Sequence, residues 1–168
     1  MLSRKLEILL LALVATLSAC GQRVQKDFDY EVAPTRYQES RKEAIKWIEQ
    51  SMTSDEWSSS DISKLKQLKE LLSNSSLNYV SNQDGTPCAE AGRTAAFVLH
   101  PNNVVEIFVC QLSDQFSGSF VSQVLIHEVV HLGGDFDECS TTRMEMEITK
   151  ASGRTPFRNG YVTTCGLD

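Results

Sequence analysis

Phe120-Val121-Ser122-Gln123-Val124-Leu125-Ile126-His127-Glu128-Val129-Val130-His131-Leu132 is apolar on most sides, which is the pattern of a helix buried in a core. Ser117 or Ser119 can cap its start, and Gly133-Gly134 ends it. Val121, Val124, Leu125 and Glu128 fall near one stripe, and Leu125, Val129 and Leu132 near another. The chain has three histidines, and two of them stand in this run. A helical repeat brings residues four apart onto one face, so the His127 and His131 imidazoles share a side. Buried without partners, two imidazoles and a carboxylate would each cost on the order of a few kcal/mol. One account satisfies the histidines with backbone carbonyls and pairs Glu128 with an arginine such as Arg143. The other account is a metal ion. His127-Glu128-Val129-Val130-His131 has the HExxH spacing, in which two imidazoles grip one zinc ion and the glutamate can deprotonate a water at its open position.

The same residues resemble those of the zincin metallopeptidases. From His127 to Asp137 the chain is similar to the metzincin pattern HExxHxxGxxH with aspartate in the last place, as in the snapalysin-like peptidases. That resemblance implies a sharp turn at Gly134 and a third ligand at Asp137. It departs from the metzincins in lacking a clear Met-turn, because Met144 and Met146 fall in a helical stretch. Gluzincins and the small minigluzincin-type proteins instead take a glutamate from the following helix, which brings in Glu138, Glu145 and Glu147.

Asp137 to Ala151 is most simply a helix, with Asp137 as its N-cap and Ser152-Gly153 at its end. If it folds back through Gly133 to Phe136, the residues near its start lie opposite His131. The third ligand is then Asp137 or Glu138, and the spacing does not separate them. Glu145 lies seven residues after Glu138 and could sit behind a histidine, but an ordinary solvated face is the expectation for Glu145 and Glu147. His100, at a strand end before Pro101, reads as a surface residue. Arg143, Arg154, Arg158 and Tyr161 are candidate partners for a carboxylate or a tetrahedral oxyanion.

At the other end, Arg4-Lys5 precedes an apolar run from Leu6 to Leu17, and Leu17-Ser18-Ala19-Cys20 resembles a bacterial lipobox. The apolar run is short of the roughly twenty residues of a membrane span. Residues 1–19 are therefore expected to be a lipoprotein signal peptide cleaved before a lipid-modified Cys20. Gly21 after the cysteine favours the outer membrane where two membranes are present. Residues 20–34 read as a tether and residues 35–168 as one domain. The formal charge of −6 becomes one unit more negative once Arg4, Lys5 and Glu7 are lost. With no basic patch in an acidic chain, nucleic acid is not an expected partner.

Four further cysteines, Cys88, Cys110, Cys139 and Cys165, suit an oxidising compartment and two disulfides. Pairing Cys88 with Cys110 and Cys139 with Cys165 joins neighbouring elements. A thiolate ligand at Cys139 is the competing role. Tyr37, Arg41, Ala44, Ile45, Ile48 and Met52 keep helical spacing from Thr35. Ile62, Leu65, Leu68, Leu71 and Leu72 do so from Asp61. Leu77 to Val80 reads as a short strand. Asn82 to Pro87 reads as turn chemistry, and Thr94 to His100 with Val104 to Cys110 as a hairpin across Pro101-Asn102-Asn103. The fold class is α+β: N-terminal helices, a small sheet, the HExxH helix and a backing helix, an order that the zincin resemblance also implies. In that resemblance one sheet edge lines the cleft and pairs with an extended peptide, and that edge falls in one of the last two strands.

The expected function is a zinc-dependent peptidase of the bacterial envelope, acting on a peptide or protein substrate. Zinc is held by His127, His131 and Asp137 or Glu138, with Glu128 as general base. Two alternatives stand beside it. One is a zincin-fold lipoprotein that keeps the metal for binding or sensing without proteolysis, and the other is an envelope structural module with no metal.

Overall fold

The computed structural model describes residues 28–82, 86–90, 94–98, 105–158 and 160–167. The expected signal peptide, Cys20, the first part of the expected tether, His100 and the expected turn at Pro101-Asn102-Asn103 lie outside the described residues.

Strand β1 (Glu31–Val32) pairs antiparallel with a later strand, and Ala33 is buried in the main core. The domain thus begins before the expected end of the tether at Pro34. Phe28 and Tyr30 belong to it as well, each with its ring edge-on to Phe108, 5.5 and 5.4 Å between centroids. The segment looked aperiodic because its two-residue strand is too short to show alternation.

Helix α1 (Thr35–Ser51) follows Pro34 and buries Tyr37, Ala44, Trp47 and Ile48. Helix α2 (Ser59–Asn74) starts two residues before the expected Asp61. Ser58 is the N-cap, accepting from the Asp61 amide while the Asp61 carboxylate accepts from the Ser58 amide. Asp61 is therefore the third residue of a capping box rather than the first of the helix. Leu65, Leu68 and Leu72 are its buried stripe.

The sheet is built from β2 (Ser76–Val80), β3 (Ala96–Val98) and β4 (Glu106–Cys110) together with β1, in the order β1-β2-β4-β3. β2 and β4 run parallel, while β1 and β3 are antiparallel to their neighbours. Between β2 and β3 a short helix, α3 (Pro87–Glu90), occupies the end of the stretch read as a turn.

Every residue of β4 is buried, and its alternation feeds two cores. Ile107 and Val109 face the helices, whereas Phe108 and Cys110 join Val80 and Cys88 on the other side. There Phe108 stacks on its cross-strand partner Phe97 with 5.1 Å between centroids. The Cys88–Cys110 disulfide ties α3 to this strand.

After a 3-10 turn at Gln111–Gln115, helix α4 (Gly118–Leu132) runs through the centre of the molecule. Ser117 caps it, and Leu125, Ile126, Val129 and Val130 are fully buried. Helix α5 (Glu138–Ala151) folds back on α4 with Asp137 as N-cap and Ser152 as C-cap, and a last short helix, α6 (Gly160–Thr164), follows. The Cys139–Cys165 disulfide joins the first turn of α5 to the residue after α6. Closing loops of sequence separation 22 and 26, the two bridges each restrict the unfolded chain by about 3 kcal/mol. No helix among the described residues is long and apolar enough to cross a membrane.

Candidate metal centre

Three polar residues of α4 form a line. Gln123, His127 and His131 succeed one another at four-residue intervals on one buried face, with Glu128 beside them. At the end of the helix the chain reverses through Gly133 and Gly134, the latter at φ 97°, a left-handed conformation suited to glycine. The reversal returns the backbone so that the Asp135 carbonyl meets His131 Nδ1 at 2.7 Å, and it delivers the start of α5 to the same face.

What arrives there is Glu138. Its carboxylate is 3.2 Å from His127 Nε2 and 3.5 Å from His131 Nε2, and the two Nε2 atoms are 3.1 Å apart. Among the described residues, His127, His131 and Glu138 are the group that could hold a metal ion. Asp137 is not brought to it. As N-cap of α5 its carboxylate accepts from the Ser140 amide at 2.8 Å, so the aspartate read as a possible ligand is occupied in starting the helix. Cys139 is oxidised with Cys165 and does not act as a thiolate.

The hydrogen bonds on the outer side of each ring determine what the inner side offers. His131 Nδ1 faces a carbonyl oxygen, which can only accept. His127 Nδ1 faces the Glu145 carboxylate at 2.8 Å. Each Nδ1 must therefore donate, which leaves both Nε2 atoms of the neutral rings as acceptors. While both rings are neutral, two imidazole lone pairs and a carboxylate thus converge with no donor between them, an arrangement that a proton or a metal ion relieves. Ligand atoms about 2.0–2.2 Å from a tetrahedral zinc ion are separated by about 3.3–3.5 Å, close to the edges observed. The donor set and its spacing fit a metal ion.

Glu145 is a correction to the solvated face expected for it. It is 1% exposed, and its second oxygen accepts from the Gln123 side-chain amide. Glu147 does lie on the exposed face of α5. Gln123 also closes a two-way bond with the Phe157 backbone, donating to its carbonyl at 2.9 Å and accepting from its amide at 2.8 Å. Sequence reasoning passed over Gln123. Its signal was a buried amide one turn before His127 in an otherwise apolar helix.

Glu128 is 6% exposed, and no arginine or lysine among the described residues pairs with it. Arg143, the arginine named as an example in the metal-free account, is exposed. Burial pushes the Glu128 carboxyl up to about 7, opposed by His127 and reinforced by Glu138 and Glu145. Burial also acts on His127, in the lowering direction. The Glu145 hydrogen bond and the neighbouring carboxylates outweigh it, and its pKa is raised.

The group sits in a cleft of about 910 Å³. It is lined by residues of α4, by β3 with Thr94 and Ala95 before it, and by Glu138 and Tyr161. β3 is an edge strand whose paired side is taken by β4. The Tyr161 ring lies nearly parallel to His127, 6.2 Å between centroids, and its phenol pKa is raised, chiefly by Glu138 and then by burial. Of the four candidate oxyanion partners only Tyr161 lines the cleft. Arg154 is engaged elsewhere, with Gln50 and over the Trp47 ring, and Arg158 is exposed away from the lining. Compared with protein-family models, curated proteins and solved structures, the chain finds no match.

Proposed function

We propose that the protein is a zinc-dependent hydrolase, most simply a peptidase, carried on a lipid anchor at Cys20 in a bacterial envelope. The observation that carries the reading is the convergence of His127 Nε2, His131 Nε2 and the Glu138 carboxylate with both Nδ1 atoms committed as donors. The HExxH spacing supports zinc over other ions, since imidazole and carboxylate in a three-ligand set are the donors of catalytic zinc sites. Zinc bound there supplies Lewis-acid polarisation of a substrate carbonyl and a water acidic enough to attack near neutral pH.

The chain's own residues do the rest. Glu128 accepts the proton of the attacking water on its carboxylate and returns it to the leaving amine. The Tyr161 phenol, at the cleft wall beside His127, donates to the oxyanion of the tetrahedral intermediate. The main chain of β3 offers amides and carbonyls to an extended peptide laid along the cleft, which is strand addition at a sheet edge. The lipobox-like Leu17-Ser18-Ala19-Cys20 supports the anchor, and the two disulfides agree with an oxidising compartment.

The test is zinc content and cleavage of a peptide library by the purified protein, with Glu128→Gln and His127→Ala beside it. One zinc per chain, chelator-sensitive cleavage, loss of cleavage but not zinc in Glu128→Gln, and loss of both in His127→Ala are expected. Equal metal in wild type and His127→Ala would end the proposal. Zinc without cleavage in the wild type would leave the binding or sensing reading in its place.

A further inference from the structure

The buried polar line of α4 does not stop at the candidate ligands. Glu145 uses one oxygen for His127 Nδ1 and the other for Gln123, so its carboxylate is held from both sides while 1% exposed. Gln123 in turn donates its second N–H to the Phe157 carbonyl and accepts from the Phe157 amide on its side-chain oxygen. Phe157 begins the C-terminal segment, which is fixed again at Cys165 by the bond to Cys139. Cys139 is the residue after Glu138. Between those two fixings α6 carries Tyr161 against His127. A path therefore runs from the disulfide along the covalent chain to Phe157, and from there by direct hydrogen bonds through Gln123 and Glu145 to the outer nitrogen of His127.

We infer that Gln123 is a positioning residue that couples the C-terminal segment, fastened at Phe157 and at Cys165, to the orientation and tautomer of His127, and thereby sets the affinity of the site for its metal. The inference rests on the reading of His127, His131 and Glu138 as a metal site. It goes beyond that reading in assigning control of the site to residues that touch neither metal nor substrate. The physical step is short. Without Gln123 one oxygen of a buried carboxylate loses its donor, and the carboxylate rotates to share the His127 Nδ1 proton or to seek another partner. The ring is then free to exchange tautomers, and a ring protonated on Nε2 cannot ligate. Freeing the segment at Cys165 acts through the same contact, because the Phe157 backbone is what holds the Gln123 amide in place.

His131 provides an internal control. Its Nδ1 is set by the Asp135 carbonyl, in the turn after α4, with no link through Gln123. A general loosening of the fold would free the tautomer of both rings, whereas the positioning role frees that of His127 and leaves His131 protonated on Nδ1.

The experiment compares wild type, Gln123→Met, the paired Cys139→Ser/Cys165→Ser variant and all three substitutions together. Serine is used rather than a reductant because thiolates beside Glu138 would themselves bind zinc. The ring 15N shifts of both histidines are read in metal-free protein at a pH alkaline enough to leave both rings neutral, and zinc affinity is read by competition with a chromogenic chelator. The expected result is a fixed Nδ1-protonated His127 in wild type and tautomer-averaged His127 signals in Gln123→Met and in the paired serine variant, with His131 remaining Nδ1-protonated in each. Zinc should bind about 10- to 100-fold more weakly in each. The triple variant should be no weaker than the worse of the two, since both act through one contact.

An unchanged His127 tautomer with zinc affinity within about twofold of wild type would overturn the inference, as would additive losses. Should Gln123→Met fail to fold, the paired serine variant, which retains Cys88–Cys110, decides alone by the same two readings. A wild type that binds no zinc would remove the metal reading, and the tautomer measurement would still decide whether Gln123 and the disulfide act on His127.

Discussion

Glu145 Oε2 stands 2.8 Å from His127 Nδ1, on the side of the ring opposite His131 and Glu138. A carboxylate there does three things at once. It fixes which nitrogen carries the proton, it holds the plane of the ring, and it makes the inner nitrogen a stronger base. The glutamate comes from the middle of α5, two turns beyond Glu138, so a single helix supplies a candidate ligand and the group that orients another.

Glu145→Ala should therefore weaken zinc binding by about 10- to 100-fold without removing any ligand. It should also lower stability by about 1–3 kcal/mol, because the buried Gln123 amide loses a partner. Chelator competition measures the first and urea unfolding of the metal-free protein the second. Unchanged zinc affinity would show that the hydrogen bond orients nothing that matters.

Asp137 and Glu138 are neighbours with separate tasks, and alanine at each should separate them. Glu138→Ala should abolish stoichiometric zinc binding with little loss of stability in the metal-free protein. Asp137→Ala should retain zinc and cost about 1 kcal/mol, the usual value of a lost N-cap. Metal analysis and thermal unfolding of the two variants give the answer, and the reverse pattern would make the aspartate the ligand.

The extent to which these roles could be read in advance follows from the range of the forces involved. The long helices were legible because they depend on local spacing: the stripe of Leu65, Leu68 and Leu72, Ser117 as one of two candidate caps of α4, and the Asp137 cap of α5. Both cysteine pairings were legible from adjacency of elements. The choice between Asp137 and Glu138 was not, because it turns on whether one carboxylate is consumed by a cap. Burial of Glu145 was not legible either. It depends on α5 packing against α4 at an angle that no spacing within α5 encodes. β1 escaped notice because its pairing partner lies more than forty residues away in β2.

Tyr37 provides a pH prediction away from the site. Its hydroxyl donates to Asp114, and its pKa is pushed up to about 12, burial being the largest cause, with Arg36 opposing and Tyr79 adding. An acid whose folded pKa is raised contributes stability that is whole below its unfolded value of 10.0 and is lost as pH rises towards about 12. The stability of wild type should fall across that window. Tyr37→Phe should start lower but show a flatter alkaline limb. Parallel limbs in denaturant titrations at pH 9 to 12 would contradict the assignment.

The two glycines after α4 resist substitution for different reasons. A Cβ on Gly133 would come 2.7 Å from Leu68 Cδ2, and Leu68 is fully buried, so Gly133→Ala should cost about 1–3 kcal/mol through overpacking of α2 on α4. Gly134 has open space around its Cα but a φ of 97°, so Gly134→Ala should cost about 1 kcal/mol through backbone strain alone. Trimming Leu68 to alanine in each background distinguishes the two. It should recover part of the first loss through coupling and none of the second, as read from a double-mutant cycle.

Zinc should appear in the unfolding equilibrium as well as in the cleft. A ligand that binds only the folded chain stabilises it by about 2.7 kcal/mol when its free concentration is a hundred times its dissociation constant. The three candidate ligands come from α4 and α5, which pack on each other only in the folded molecule, so the unfolded chain has no comparable group. Added zinc should therefore raise the unfolding midpoint of the wild type with the logarithm of its concentration. A chelator should reverse the shift. His127→Ala and Glu138→Ala should show none, while Glu128→Gln should show the full shift because its carboxylate is not among the ligands. If Glu128→Gln lost the shift as well, Glu128 would belong to the binding group and could not serve as the proton acceptor.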